Sequence, residues 1–206
     1  MSDATRLTER GAKTRARIVD AAAELIRVRG VGGTTLDDVI AAGAVSKSQL
    51  YRHFTDKPAL VRAVIELVGE RTIAGERSRL ANVRSLSELR DWRDAMVANS
   101  ALQDGRYGCS LGSLANEVAD HDDVARQTLD RLFAAWQELF EGVIARLRDE
   151  HVIDTRDADT DQLATGFVAA VQGGYLLAQT SRNATPMASA IDMAIDHLEL
   201  LAQRRA

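Results

Sequence analysis

The sequence predicts an all-α protein: an N-terminal three-helix head with a helix-turn-helix, followed by a larger helical body. Three observations carry this. Apolar residues recur at helical spacing in most segments. Only two prolines, Pro58 and Pro186, interrupt the chain, aromatics make up 4%, and Ala, Leu, Arg, Asp and Glu dominate, a mixture that favours helices over sheets. Between residues 34 and 54, two short helical stretches are separated by little more than the break "GAV", the layout of a helix-turn-helix.

Residues 1–12 are polar and aperiodic and predict an N-terminal arm. From Lys13 a first helix begins. Ile18, Ala21, Ala22, Leu25 and Ile26 form one apolar stripe, and Gly30 with Gly32-Gly33 ends it. Thr34 or Thr35 then caps a short helix, with Asp37 and Asp38 in its first turn where negative charge suits the helix dipole. Ser46 caps a third helix running to about Phe54. Asp56 caps a fourth, with Pro58 in its first turn, where the missing N–H costs little, and with Leu60, Ala63, Val64, Leu67 and Val68 as its stripe. Longer helices follow over about 86–102, 109–118, 122–149, 158–182 and 186–204. Their apolar faces run from Leu129 through Phe133, Trp136 and Phe140 to Leu147, along Phe167, Val171 and Tyr175, and along Ile191, Ile195 and Leu198. The expected division is a helix-turn-helix head over 13–58 and a body over 59–206.

With 206 residues the chain is long enough to bury a sizeable core. A single cysteine, Cys109, leaves no internal disulfide and suits a reducing cytoplasm. No signal-like apolar stretch opens the sequence, and no apolar run approaches the roughly 18 residues of a membrane span. Charge is divided unevenly. Up to Arg62 eleven Lys and Arg stand against seven Asp and Glu; beyond it fifteen stand against twenty-three. A basic head on an acidic body points to a polyanionic partner for the head.

The stretch "VSKSQLYRHFTDKPAL" concentrates that feature. On a helix from Ser46 to Phe54, Leu50 and Phe54 face inward with Val45. Lys47, Gln49, Tyr51, Arg52 and His53 are left to the outside or flanks, and Lys57 follows at the next helix. These residue types suit a DNA major groove: Gln pairs bidentately with adenine, Arg with guanine, while Ser, Lys and Tyr hold phosphates.

"TTLDDVIAAGAVSKSQLYRHFTDKPAL" resembles the DNA-binding head of the tetracycline-repressor (TetR) family. Thr35, Val45, Ser46, Leu50, Tyr51, Phe54 and Lys57 stand in register with its pattern. Two departures are visible. Ala44 occupies the place where the family usually has Gly before the Val, and Ser48-Gln49 replaces the common Gly-Thr. The resemblance implies that Thr35 holds a phosphate, that Ser46, Lys47, Ser48, Gln49, Tyr51, Arg52 and His53 form the reading helix, and that Lys57 clamps the flanking backbone. Gln49 and Arg52, with Lys47, are the expected base contacts.

The resemblance further implies a homodimer on a palindromic operator, paired through the last two helices, with Phe167, Ala170, Val171, Gly174, Ile191, Ile195 and Leu198 at the interface. The segment from Arg106 to Phe140, with Gly-Cys-x-Leu-Gly-x-Leu at its start, resembles a branch whose members respond to flavonoid-like or multidrug-like aromatic compounds. A pocket for a small-molecule inducer is therefore expected among Trp92, Met96, Tyr107, Cys109, Phe133, Trp136, Phe140, Gln172 and Tyr175.

Other readings are weaker. No Lys or His adjoins Cys109 to activate it as a redox sensor. The run Asp120, His121, Asp122 and Asp123 suits capping better than metal ligation, because consecutive helical residues point apart. No nucleophile elbow, phosphate loop, zinc motif or dinucleotide loop is present, so no cofactor, metal or membrane partner is expected. The expected function is a ligand-responsive transcriptional repressor. The alternatives are a DNA-binding regulator controlled by a protein partner and a helical enzyme.

Overall fold

The computed structural model describes residues 8–154 and 158–203. Among them are nine helices and no strand: α1 Glu9–Arg29, α2 Leu36–Ala42, α3 Lys47–His53, α4 Lys57–Leu80, α5 Leu86–Leu102, α6 Ser110–Val118, α7 Asp123–Asp149, α8 Thr160–Ser181 and α9 Thr185–Gln203. Two corrections follow. The first helix starts at Glu9, not Lys13, because Thr8 caps it by accepting the Gly11 N–H. Residues 8–12 of the expected arm are thus cap and helix, and its residues 1–7 lie outside the described part. The fourth helix continues to Leu80, past the expected stop near residue 73. It has no breaker there except Gly75, which a helix interior tolerates at a cost of about 1 kcal/mol.

The chain forms two compact units, one of Met1–Gly69 with Ser113–Leu129 and one of Glu70–Gly112 with Asp130–Ala206. The expected boundary at residue 58 therefore differs from the one found. The start of α4 and Ser113–Leu129 group with the head, where Leu60, Val61, Val64, Leu114, Val118 and Leu129 are all buried.

In the head, α1, α2 and α3 pack on one another around Ile18, Ala22, Val39, Val45, Leu50 and Phe54. Leu50 is fully buried, as the helical spacing predicts. The turn between α2 and α3 is tight. Gly43 ends α2 in an ordinary right-handed conformation (φ −78°), and Ala44 takes the left-handed one (φ 47°). A side chain at Gly43 would press on the Val39 carbonyl at 3.0 Å. The turn thus needs positive φ at the residue where this chain carries Ala, which is strained by roughly 1 kcal/mol.

In the second unit, α8 packs along α9, and α5 along α9. A Cβ at Gly174 would lie 2.9 Å from Met187 Cα, so glycine permits the α8–α9 approach. Trp92 meets Phe140 edge-on at 5.3 Å, and Phe140 stacks on Phe167 at 5.0 Å. Arg146 donates to the carbonyls of Leu80 (2.6 Å) and Val83 (3.0 Å) and so satisfies the C-terminus of α4. Arg90 on α5 reaches Asp196 and Glu199 on α9.

An Ala44→Gly variant is expected to gain about 1 kcal/mol of head stability by removing the left-handed strain. Urea or thermal denaturation checks this, and an unchanged or lowered midpoint would show that Ala44 is not strained.

Candidate nucleic-acid interface

The site is built on α3, a helix of seven residues. A helix this short is marginal alone in water, so its form depends on anchors. Leu50 and Phe54 anchor its inner face. A capping box closes its N-terminus: Ser46 Oγ accepts the Gln49 N–H (3.2 Å), and Gln49 Oε1 accepts the Ser46 N–H (2.8 Å). Ser46 and Ser48 hydroxyls meet at 3.0 Å.

This arrangement turns Lys47, Ser48, Tyr51 and Arg52 outward, all exposed, with Gln49 and His53 partly buried. Tyr51 is 46% exposed, and the Lys47 ammonium lies 6.0 Å from its ring centre. Among the described residues no carboxylate forms an ion pair with Lys47, Arg52 or Lys57. His53 is held below its ordinary value by burial first, then by Arg52 and Arg15. Arg15 itself sits 5.3 Å from the Phe54 ring centre. The outer face is thus cationic, aromatic and amide-bearing, the chemistry that meets phosphates and base edges.

Thr35 is the N-cap of α2, one of the two caps expected there. Its hydroxyl donates to Asp38 Oδ2 (2.6 Å) and accepts the Asp38 N–H (3.1 Å), and its own N–H donates to the same carboxylate (3.0 Å). In this structure Thr35 is a cap with its donors spent, beside a carboxylate that would repel a phosphate. Asp38 is held below the usual carboxylate range by these Thr35 bonds, and Arg29 adds to the effect.

Two fasteners hold the same unit: Glu117 escaped sequence reasoning, whereas the capping role of the acidic run at Asp122 was expected. Glu117 accepts the backbone N–H groups of Val31 (2.7 Å) and Gly32 (3.3 Å) in the turn between α1 and α2. Asp122 caps α7 through the Ala125 N–H (3.0 Å) and pairs with Arg62 at 2.8 Å. The acidic run from Asp120 thus supplies helix-start contacts: Asp122 caps, and Asp123 binds Arg126 and Gln127.

Of the nine expected pocket residues, Trp92, Met96, Cys109, Trp136 and Phe140 are buried, while Tyr107, Phe133, Gln172 and Tyr175 are partly buried. Gln172 Nε2 donates to Cys109 Sγ at 3.4 Å. Burial pushes the Cys109 thiol up, which opposes a thiolate sensor, and burial also pushes the Tyr175 phenol up. Glu76, not foreseen, is buried. It accepts the Trp92 indole N–H (2.9 Å) and is bound by Arg79. Its signal was present, since Ile73, Glu76 and Leu80 share one helical stripe and both apolar members are buried.

The expected interface residues divide in two. Phe167, Val171, Gly174, Ile191, Ile195 and Leu198 are buried within the protomer, and Ala170 is partly buried. A hollow of about 910 Å³ lies elsewhere than the expected pocket, lined by Gly166, Ala170, Met193, Ala194, His197 and Leu200 among others. Met193 and Leu200 are 71% and 55% exposed. The buried set fills the unit's own core.

Residues 18–64 match the model of the bacterial regulatory proteins of the tetR family, and residues 86–193 match that of the transcriptional regulator LmrA/YxaF-like C-terminal domain. The chain belongs to the tetR family of bacterial regulatory proteins. The HTH-type transcriptional repressor DhaR of Mycobacterium sp. (strain GP1) is 29% identical over 176 residues, covering 84% of this chain and 86% of that one. The HTH-type transcriptional regulator LmrA of Bacillus subtilis is 25% identical over 179 residues, covering 84% and 90%. A crystal structure of a TetR transcriptional regulator from Chloroflexus aurantiacus superposes with a TM-score of 0.78 at 25% identity, covering 92% of this chain and 96% of that one.

This tetR-family protein is therefore a DNA-binding transcriptional regulator and not an enzyme. Among its described residues no helix is long and apolar enough to cross a membrane.

The Asp122 carboxyl is held below its ordinary value near 3.8 by the Ala125 N–H first and by Arg62 second. A lowered folded value means stability that is present above the unfolded value and lost as pH falls through the folded one. Asp122→Asn is expected to lower the thermal midpoint by about 2–4 °C at pH 7. The gap to the parent should narrow below pH 3.8. A gap independent of pH would show that the charge contributes nothing.

Proposed function

We propose that this regulator is a repressor that binds a palindromic operator as a homodimer and leaves it when a small aromatic or hydrophobic molecule enters the body. The observation that carries the DNA-reading part is the outer face of α3, where Lys47, Tyr51 and Arg52 stand exposed and, among the described residues, no carboxylate is paired to the two cations. Lys47 and Arg52, with Lys57, supply phosphate and base contacts. Repression is supported by the similarity to DhaR, a transcriptional repressor.

Pairing is assigned to the outer side of α8 and α9, at Gly166, Ala170, Met193, Ala194 and Leu200, where small residues let another helix approach and large apolar ones are exposed. Two copies joined there present two α3 helices to successive major grooves about 34–36 Å apart. The ligand reading is supported by the aromatic cluster Trp92–Phe140–Phe167, with Glu76 and Gln172 as polar groups that fix orientation. Ligand favours an arrangement in which the two heads no longer match the groove spacing, so ligand and operator oppose one another reciprocally. A hundredfold loss of operator affinity requires about 2.7 kcal/mol of differential binding.

Fluorescence anisotropy with DNA upstream of the gene, against unrelated DNA and across a salt series, tests the reading. Specific DNA is expected to bind about a thousandfold tighter, with affinity falling steeply as salt rises. Equal, weak binding of all DNAs, including genomic fragments, would refute it. Arg52→Ala is expected to cost about tenfold in operator affinity. Met193→Glu is expected to shift the protein to monomer in sedimentation and to weaken operator binding without lowering the thermal midpoint. A dimer that survives this change would move the interface elsewhere.

A further inference from the structure

Gln49 stands at the N-terminal end of α3, the end from which a recognition helix contacts base edges, and its side chain is already engaged. The atom facing the Ser46 N–H at 2.8 Å must be the amide oxygen, since only an acceptor satisfies that donor. The Nε2 amine is the end left over, and among the described residues it has no hydrogen-bond partner. An amide reads adenine by giving a hydrogen to N7 and taking one from N6 with its oxygen, both along one edge. Here the oxygen is drawn back onto the helix's own backbone. Releasing it would undo half of the capping box of a seven-residue helix and leave the Ser46 N–H unpaired.

We propose that Gln49 is a specificity residue that reads DNA as a donor, through Nε2, and so selects a base that offers an acceptor where adenine carries its N6 amino group, guanine O6 or thymine O4, in place of adenine. The adenine N6 amine would meet the Gln49 amine donor to donor. This inference rests on the reading that α3 enters the major groove. It replaces the bidentate adenine pairing expected from the residue type with a preference set by the cap.

The test is selection of binding sites from randomised duplex DNA by the full-length protein, run in parallel for the parent, Gln49→Glu and Gln49→Met. Glu keeps an acceptor for the Ser46 N–H, hence the cap, but removes the amine. The parent is expected to enrich a motif in which one position per half-site favours guanine or thymine over adenine by about fivefold to tenfold. Gln49→Glu is expected to keep the thermal midpoint and to reverse that one position toward cytosine or adenine, whose amino groups donate, while the other positions stay. Gln49→Met, which loses both cap and amine, is expected to lower the midpoint and flatten that position with no new preference. A parent motif strict for adenine there would overturn the donor reading. Identical base preferences in the parent and Gln49→Glu, with all affinities reduced alike, would make Gln49 a cap and nothing more. A parent that enriches no motif would instead overturn the groove reading beneath it, and the inference with it.

Discussion

A seven-residue helix does not hold itself together in water, where isolated helices need about 12–15 residues to be even marginal. Both α2 and α3 have seven, and the DNA-facing half of the protein depends on stabilising them from outside. Each is closed at its start by a capping box, Thr35 with Asp38 and Ser46 with Gln49, and each is anchored by a buried apolar residue, Val39 and Leu50. The consequence reaches function. Residues of a type that could meet DNA are drawn into holding the helix: Thr35 entirely, Ser46 through its hydroxyl and Gln49 through its oxygen. What remains free for recognition is the outer part of the same turn.

Placement of the acids matters as much as the number of bases. In the head, Asp38 is turned to Thr35 and Arg29, Asp56 to the Ala59 N–H, Glu117 to the turn between α1 and α2, and Asp122 to Arg62. Each carboxylate satisfies an orphan backbone donor or a cation away from α3. Among the described residues the cations of α3 are thereby left without a carboxylate partner, and a modest surplus of bases becomes a face suited to a polyanion.

The second unit shows the opposite economy. On α8 the large residues Phe167 and Val171 turn inward with Gly174 and Ala178, and on α9 Met187, Ile191, Ile195 and Leu198 meet them. Once these fill the interior, small residues such as Gly166, Ala170 and Ala194 remain outside beside Met193 and Leu200. Helices apolar on more than one side are buried on one and keep the other for a further partner. The aromatic cluster around Phe140, with the buried Glu76 held by the Trp92 indole and Arg79, places polar groups in an otherwise apolar interior, where each must be paired.

Helical periodicity, caps and breakers were enough to place the nine helices of the described residues, all bounds but the end of α4 falling within a few residues of those observed. Those signals are local: a stripe at i, i+3, i+4, a Ser or Thr before it and a Gly after it depend on neighbours in the chain. The outward set of α3 followed for the same reason, since burying Leu50 and Phe54 fixes which side of a short helix is left. Two matters were decided only by tertiary structure. Whether Phe167 and Ile195 face their own core or a partner depends on how α8 meets α9, which the close approach at Gly174 determines. Whether Glu117 and Asp122 are surface charges or fasteners depends on turns far along the chain. Gln49 belongs with the local signals instead: the Ser-x-x-Gln spacing from Ser46 carries the capping box that engages its amide oxygen, and reading the residue by type alone passed over it.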